Sequence, residues 1–363
     1  MVCGNITDET PSMKTFKDFY TLHQKKLIES MYEDIDLSMR DYPLPAGTHG
    51  LSMVRGMVTG GKMIRGMLVL MSAQMHGVPI TKELYHLAGA IELLHAGFLI
   101  HDDIMDNDYR RRNRDSIYYQ YIKEGQEKNA ANPEHYGVSM AMCLGDMVFF
   151  LVYEIIAKRI SDPEKVQCVT AYISQEVQHV GPAQMMDASY GQIPEDPTED
   201  EIQRIYTYKT AHYTFSLPLI LGGTFAPSMQ ITTLKAIGKE MGIVFQLKDD
   251  DLGIFGSSDS IGKEVGSDVR ENKKTLLRHL LFQSVSPSER EKLHTIFGNP
   301  HLSVNDLTFV KICIEKTGVR ETIAQEMKLR KEKALALMKS LDDSGKMTVL
   351  LADLMSYIIS RTN

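Results

Sequence analysis

The stretch Ala88-Gly-Ala-Ile-Glu-Leu-Leu-His95-Ala-Gly97-Phe98-Leu-Ile-His101-Asp102-Asp103-Ile-Met-Asp106 decides the fold. Its apolar residues recur at intervals of three and four, the spacing of a helix. They cover more than one face, so this helix belongs inside a bundle. It ends in aspartates four apart, and side chains at that spacing project from one side. The carboxylates of Asp102 and Asp106, with Asp103 beside them, cannot neutralise one another, so a cation has to sit among them.

Working outward, the same periodicity runs through Met140 to Ala157, Val166 to Ala188, Leu234 to Leu252 and Thr322 to Met338, without a convincing alternating strand. The expected fold is all-α, an antiparallel helical bundle around a deep central cavity. A chain of 363 residues, 43% hydrophobic, is long enough for one or two domains. Nothing divides it, no repeat appears, and its two acidic clusters have to meet. Residues 1–363 therefore read as one domain.

The second cluster, Asp249-Asp250-Asp251, lies about 150 residues further on. Oxygen ligands without His or Cys favour Mg²⁺, which keeps part of its water and completes its octahedron with phosphate oxygens. Basic residues flank both clusters: Gly60-Gly61-Lys62-Met-Ile-Arg65 and Arg110-Arg111-Arg112-Asn113-Arg114 near the first, Gly262-Lys263-Glu-Val-Gly266-Ser-Asp268 and Asn272-Lys273-Lys274-Thr275 after the second. Arginine forks grip phosphate in pairs of hydrogen bonds, whereas lysine acts as a point charge. The glycines of the later run suit a loop that closes over phosphates. Each basic run alone would read as a solvated face; paired with the carboxylates, they outline a metal-bridged diphosphate site.

In order along the chain, Gly61-Lys62-Met-Ile-Arg65, Glu92-Leu-Leu-His95, His101-Asp102-Asp103-Ile-Met-Asp106, Arg111-Arg112, Gly145-Asp146, Gly191-Gln192, Lys209-Thr210, Phe245-Gln246-Leu-Lys-Asp249-Asp250, Gly262-Lys263, Gly266-Ser-Asp268 and Asn272-Lys273-Lys274-Thr275 closely resemble the trans-isoprenyl diphosphate synthases. That family includes the farnesyl and geranylgeranyl diphosphate synthases, and the likeness covers most of the chain. It implies the isoprenoid-synthase type of bundle, a homodimer, and a short-chain polyprenyl diphosphate synthase. The implied reaction ionises an allylic diphosphate with Mg²⁺, three ions per site, and adds the allylic cation to isopentenyl diphosphate. By resemblance Asp102, Asp103, Asp106 and Asp249 ligate metal, with Asp250 and Asp268 reaching it directly or through water. Arg111, Lys209 and Lys263 would contact the allylic diphosphate. Lys62, Arg65, His95 and Arg112 would hold isopentenyl diphosphate, and Thr210 and Gln246 would lie beside the reacting carbons. On the residues alone, His95 reads equally as a core histidine, Gln246 as a partner in a buried polar pair, and Thr210 as bonded to its own helix.

Departures from the family pattern are local. Gly253 ends the second cluster where Asp is frequent, and Asp251 is an added acid without an assigned role. Asn113 replaces a Gly, Asp115-Ser116 stands where Pro-Thr is common, and Gly66 stands where Pro is common. Glu124 to Gly137 reads as a surface insertion. In this family, product length is set on the helix before the first cluster, here at Phe98 and Gly97. Phe98 forms a floor and Gly97 leaves room, so geranylgeranyl diphosphate is the expected product, with farnesyl or geranylfarnesyl diphosphate as alternatives. A class I terpene cyclase and a non-catalytic regulatory subunit are the other readings. The isopentenyl-binding set argues against the first, and the retention of both acidic clusters against the second.

A net charge of −7 excludes a nucleic-acid partner. Four dispersed cysteines suit reduced thiols. The first residues lack a basic and apolar leader, and runs such as Met147 to Tyr153 fall short of the ~20 residues of a membrane span. A cytoplasmic protein without stable membrane insertion is expected. Its 22 methionines read as core filler.

Overall fold

The structure, a computed structural model, describes residues 14–256, 266–341 and 346–361. Lys263, Gly262, Cys3 and the start on which the leader reading rests lie outside the described residues. Helices α1 (Phe16–Asp41), α2 (Pro45–Val58), α3 (Ile64–Met75) and α4 (Lys82–Met105) come first. A ribbon of β1 (Arg110–Arg111) and β2 (Arg114–Asp115) follows, then α5 (Ile117–Glu127), α6 (Pro133–Arg159), α7 (Pro163–Gln192) and α8 (Glu199–Ile205). The last of these runs on without a break through a π-helical stretch, Tyr206–Ser216, into α9 (Leu217–Gly223). The chain continues as α10 (Ile231–Phe255), α11 (Ser267–Arg270), α12 (Leu276–Ser284), α13 (Pro287–Ile296), α14 (Val304–Thr317), α15 (Val319–Met338) and α16 (Lys346–Ser360).

Local chemistry fixes where the helices begin. Thr15 and Asp18 close a capping box at the start of α1, and Thr81 caps α4 through the backbone N–H of Leu84. Proline occupies the first turn of α6 and of α7, where its missing N–H costs nothing. Only residues 160–162 separate these two helices; links that short place neighbours antiparallel. One continuous set of buried apolar side chains reaches from Phe16 to Ile358. At its centre α3 is buried nearly all round, and each fully enclosed residue, such as Leu68 or Leu70, contributes ~1.5–3 kcal/mol.

All five helical segments read from periodicity lie within observed helices. Two expectations are corrected. Glu124 to Gly137 is not an inserted loop: α5 runs to Glu127, α6 begins at Pro133, and only residues 128–132 connect them. The basic stretch after the first cluster forms the β1–β2 hairpin, with Arg112 and Asn113 at φ 52° and 61°. Two successive left-handed residues make the tight turn that Gly usually serves, and Asn is the commonest substitute.

Helix α6 taken whole is also long and apolar enough to cross a membrane by length and composition, although its runs looked too short in the sequence. Its inner face packs on α4 and α5. Its outer face shows Met142, Met147 and Phe150, the last 76% exposed.

Candidate active site

Helices α4 and α10 each deliver an acidic cluster to the same end of the bundle. Lys273 spans from the first cluster to Asp268, which follows the second, its amine lying 3.5 Å from Asp106 and 3.7 Å from Asp268, with Glu271 at 2.9 Å. A cleft of about 740 Å³ opens here. Its walls include Lys62, Arg65, His95, Arg111, Arg112, Lys209, Thr210, Gln246, Asp249, Asp250 and Asp268. Eleven residues scattered over some 200 positions of sequence therefore share one surface. A larger groove, about 1280 Å³, lies behind the hairpin between α2 and α5 and has none of the second cluster in its walls.

In the second cluster, neighbouring acids do different work. Asp250 is buried, receives hydrogen bonds from Tyr206 and from the Gln246 amide (2.9 Å), and is pushed up to about 8 by burial and by Asp268. Burial also raises Asp249, opposed by the Arg361 guanidinium paired with it. Asp251 points the other way, onto Arg320 of α15 (2.8 Å) and Lys248 (3.0 Å), so its role is to fasten α10 to α15. Gly253 explains itself: a Cβ there would lie within 2.4 Å of the Asp268 carboxylate. The missing last aspartate of the cluster leaves the space that Asp268 fills from α11.

The first cluster divides too. Asp103 is 1% exposed, and it, Asp102 and Asp106 adjoin the cleft and are not among its walls. Its Oδ1 accepts from Arg111 Nε at 2.6 Å and from Arg111 Nη2 at 2.5 Å. The carboxylate orients Arg111, whose Nη1 is a further donor. Burial opposes the charge on Arg111, and Asp103 more than offsets it, so the guanidinium is held still more firmly protonated.

The π-helical stretch carries Lys209 and Thr210. Thr210 donates to Gln246 Oε1 at 2.7 Å rather than to its own helix, and Gln246 passes the chain of bonds to Asp250. Lys209 is paired with Asp187 of α7. Arg65, in the first turn of α3, reaches the Tyr213 hydroxyl at 2.7 Å and Thr214 at 2.8 Å. Tyr213 in turn meets His95 Nδ1 at 2.8 Å. Burial, with the charges of Arg65, Arg112 and Arg111, keeps His95 neutral well below its ordinary range. Gly66 gives its N–H to Glu92 at 2.7 Å, a bond that proline could not make.

One turn on from His95, the Phe98 ring meets Phe149 tilted and Tyr213 edge-on, both at 5.1 Å between ring centres. Gly97 does not leave room, because a Cβ there would sit 2.6 Å from the Phe149 ring, which already fills the space. Arg361, Tyr357, Asp187 and Tyr213 were not singled out in the sequence. Arg361 could have been suspected only as a cation, since its carboxylate partner, Asp249, comes from a distant helix.

The residues fit a divalent metal. Burial, with Asp268 and Asp249 close by, pushes Asp250 up to about 8, and added positive charge at this spot favours the ionised carboxylates. Their oxygen-only donor set suits a hard cation. The polyprenyl synthetase family signature matches residues 51–313.

The chain belongs to the polyprenyl synthetase family.

It is 30% identical over 250 residues to the short chain isoprenyl diphosphate synthase of Methanocaldococcus jannaschii, covering 68% of this chain and 70% of that one. It is also 30% identical over 265 residues to the geranylgeranyl diphosphate synthase of Saccharolobus solfataricus, covering 72% and 74%. Among solved structures, a Corynebacterium glutamicum geranylgeranyl pyrophosphate synthase complexed with isoprenyl diphosphate and magnesium superposes with a TM-score of 0.87 at 25% identity, over 95% of this chain and 99% of that one. The enzyme is accordingly a prenyltransferase, a short-chain prenyl diphosphate synthase using isopentenyl and allylic diphosphates and a divalent metal. The cyclase and regulatory-subunit readings give way to it.

Proposed function

We propose that this synthase makes geranylgeranyl diphosphate, using three Mg²⁺ ions held by Asp102, Asp106, Asp249, Asp250 and Asp268, with Asp103 acting through Arg111. The observation that supports the reading is the Lys273 amine, which lies 3.5 Å from Asp106 of the first cluster and 3.7 Å from Asp268, the acid packed against Gly253 at the end of the second. Bound Mg²⁺ supplies the charge that stabilises the departing pyrophosphate. Lys209, Arg111 and Lys263 hold the allylic diphosphate; Lys62, Arg65, Arg112 and the neutral His95 hold isopentenyl diphosphate. The Thr210 and Gln246 dipoles lie where the allylic carbon becomes positive, and Gln246 is fixed from both sides by hydrogen bonds. Tyr357 and Arg361, walls of the same cleft, close it from the C-terminal side.

The Phe98 and Phe149 pair favours a second reading, in which growth stops at farnesyl diphosphate, since two rings occupy the layer below the reacting carbons. Incubation with Mg²⁺, isopentenyl diphosphate and the five-, ten- or fifteen-carbon starter separates the two. A twenty-carbon diphosphate from the fifteen-carbon starter supports the first, and a fifteen-carbon endpoint the second. Asp102→Ala and Asp249→Ala should each abolish turnover; unchanged Mg²⁺-dependent turnover in both would sink the catalytic assignment. We further propose a cytoplasmic homodimer, supported by the exposed apolar side chains Met142, Met147 and Phe150 on α6 and Met185 on α7.

A further inference from the structure

Away from the cleft, α7 presents Glu176 and His179 one turn apart to His212 of the π-helical stretch. His212 Nδ1 lies 3.2 Å from Glu176 Oε2, and His179 Nδ1 lies 3.6 Å from the same oxygen. All three atoms lie within 4.8 Å of one another. All three are also buried and make no hydrogen bond. Buried polar atoms are nearly always hydrogen-bonded, so three that converge at ion-pair distance without a hydrogen bond among them call for an explanation.

We infer that Glu176, His179 and His212 form a second metal site, for a borderline transition dication of the Zn²⁺ class. Two imidazoles and a carboxylate are a donor set for such an ion and not for Mg²⁺. The spacing agrees: with bonds of about 2.1 Å at tetrahedral angles, ligand atoms stand roughly 3.4 Å apart, and the two measured separations bracket that value. Glu176 is 2% exposed. Lys235 binds the other oxygen, Oε1, at 3.3 Å and leaves Oε2 to the ion. The half-exposed His179 gives the ion a path in, and the Tyr208 ring flanks both histidines at 5.2 Å between centres. Three protein ligands leave one position for water.

The placement gives the site a consequence. It joins α7, which carries Asp187, to the coil that carries Lys209, three residues before His212, so a bound ion would clamp together the two elements that position the Lys209–Asp187 pair.

The test uses full-length protein stripped with chelator, dialysed against Zn²⁺ with Mg²⁺ in excess to occupy the aspartates, and assayed for retained metal by mass spectrometry. One zinc per chain is expected for the natural sequence and for Asp102→Asn. His179→Gln should weaken zinc binding at least about tenfold while keeping its helical circular dichroism and, with both proteins zinc-free, the Mg²⁺-dependent turnover of the natural sequence. Co²⁺ should give a tetrahedral visible band that His179→Gln and Glu176→Gln lose. Failure to retain zinc, or zinc that survives His179→Gln and disappears in Asp102→Asn, overturns the site.

Discussion

Gly242→Ala tests whether the contact between α10 and the π-helical stretch sets the geometry of the reacting carbons. A Cβ at position 242 would stand 2.3 Å from Ala211 Cα and 2.5 Å from its Cβ, against 3.4–4 Å for ordinary contact. Backbone is on one side and a helix on the other, so neither yields by rotating a side chain. The two helices have to part by about 1 Å, an overpacking cost of ~1–3 kcal/mol. The helix preference of Ala over Gly returns ~1 kcal/mol, leaving a net loss of ~0–2 kcal/mol. Function should suffer more than stability. Gln246 lies one turn beyond Gly242, Thr210 adjoins Ala211, and their 2.7 Å hydrogen bond stretched by about 1 Å no longer exists. Displacement on that scale lowers turnover by ~10²-fold. Gly56→Ala is the control, since a Cβ at that position of α2 meets nothing within 4 Å. Denaturant unfolding gives the stability of each variant, and initial rates with isopentenyl diphosphate give the activity. Gly242→Ala with turnover within twofold of the natural enzyme would refute the reasoning.

Phe98→Ala and Phe149→Ala should each lengthen the product by at least one five-carbon unit; an unchanged chromatographic profile removes that ring from the floor. Burial, reinforced by Lys26, holds His23 at about 4 instead of 6.5. The unfolded chain therefore takes up a proton that the folded one refuses, and stability drains away as pH falls from about 6.5 to about 4, by at most about 3 kcal/mol. In His23→Phe that slope should vanish from urea titrations run across the window; a slope equal to that of the natural protein would assign it to other groups. Phe150→Glu should convert the proposed dimer to a monomer by light scattering, and an unaltered mass would move the interface off α6.

Much of the cleft was legible because its parts are short and local. Asp102 and Asp106 share a face by helical spacing alone, and capping residues such as Thr81 mark where their helix begins. The stretch 199–223 escaped because its middle, Tyr206–Ser216, is π-helical and repeats more slowly than the 3.6-residue turn against which periodicity is judged, while the α-helical pieces on either side are only seven residues long. It is nevertheless the element that brings Lys209, Thr210 and Tyr213 to the cleft.

The sequence by itself determined the helical class, the identity of the acids and cations, and their order along the chain, because each depends on residues within a turn or two. Tertiary structure alone decided what each charged group faces. Asp251 meets Arg320 from 69 positions away, and Asp249 meets Arg361 from 112. Gly253 makes room for Asp268, and the room at Gly97 is taken by Phe149. Two carboxylates side by side in the chain, Asp250 and Asp251, thus face different sides of one helix, one meeting Tyr206 and Gln246 and the other Arg320, and the helix packed against each decides which.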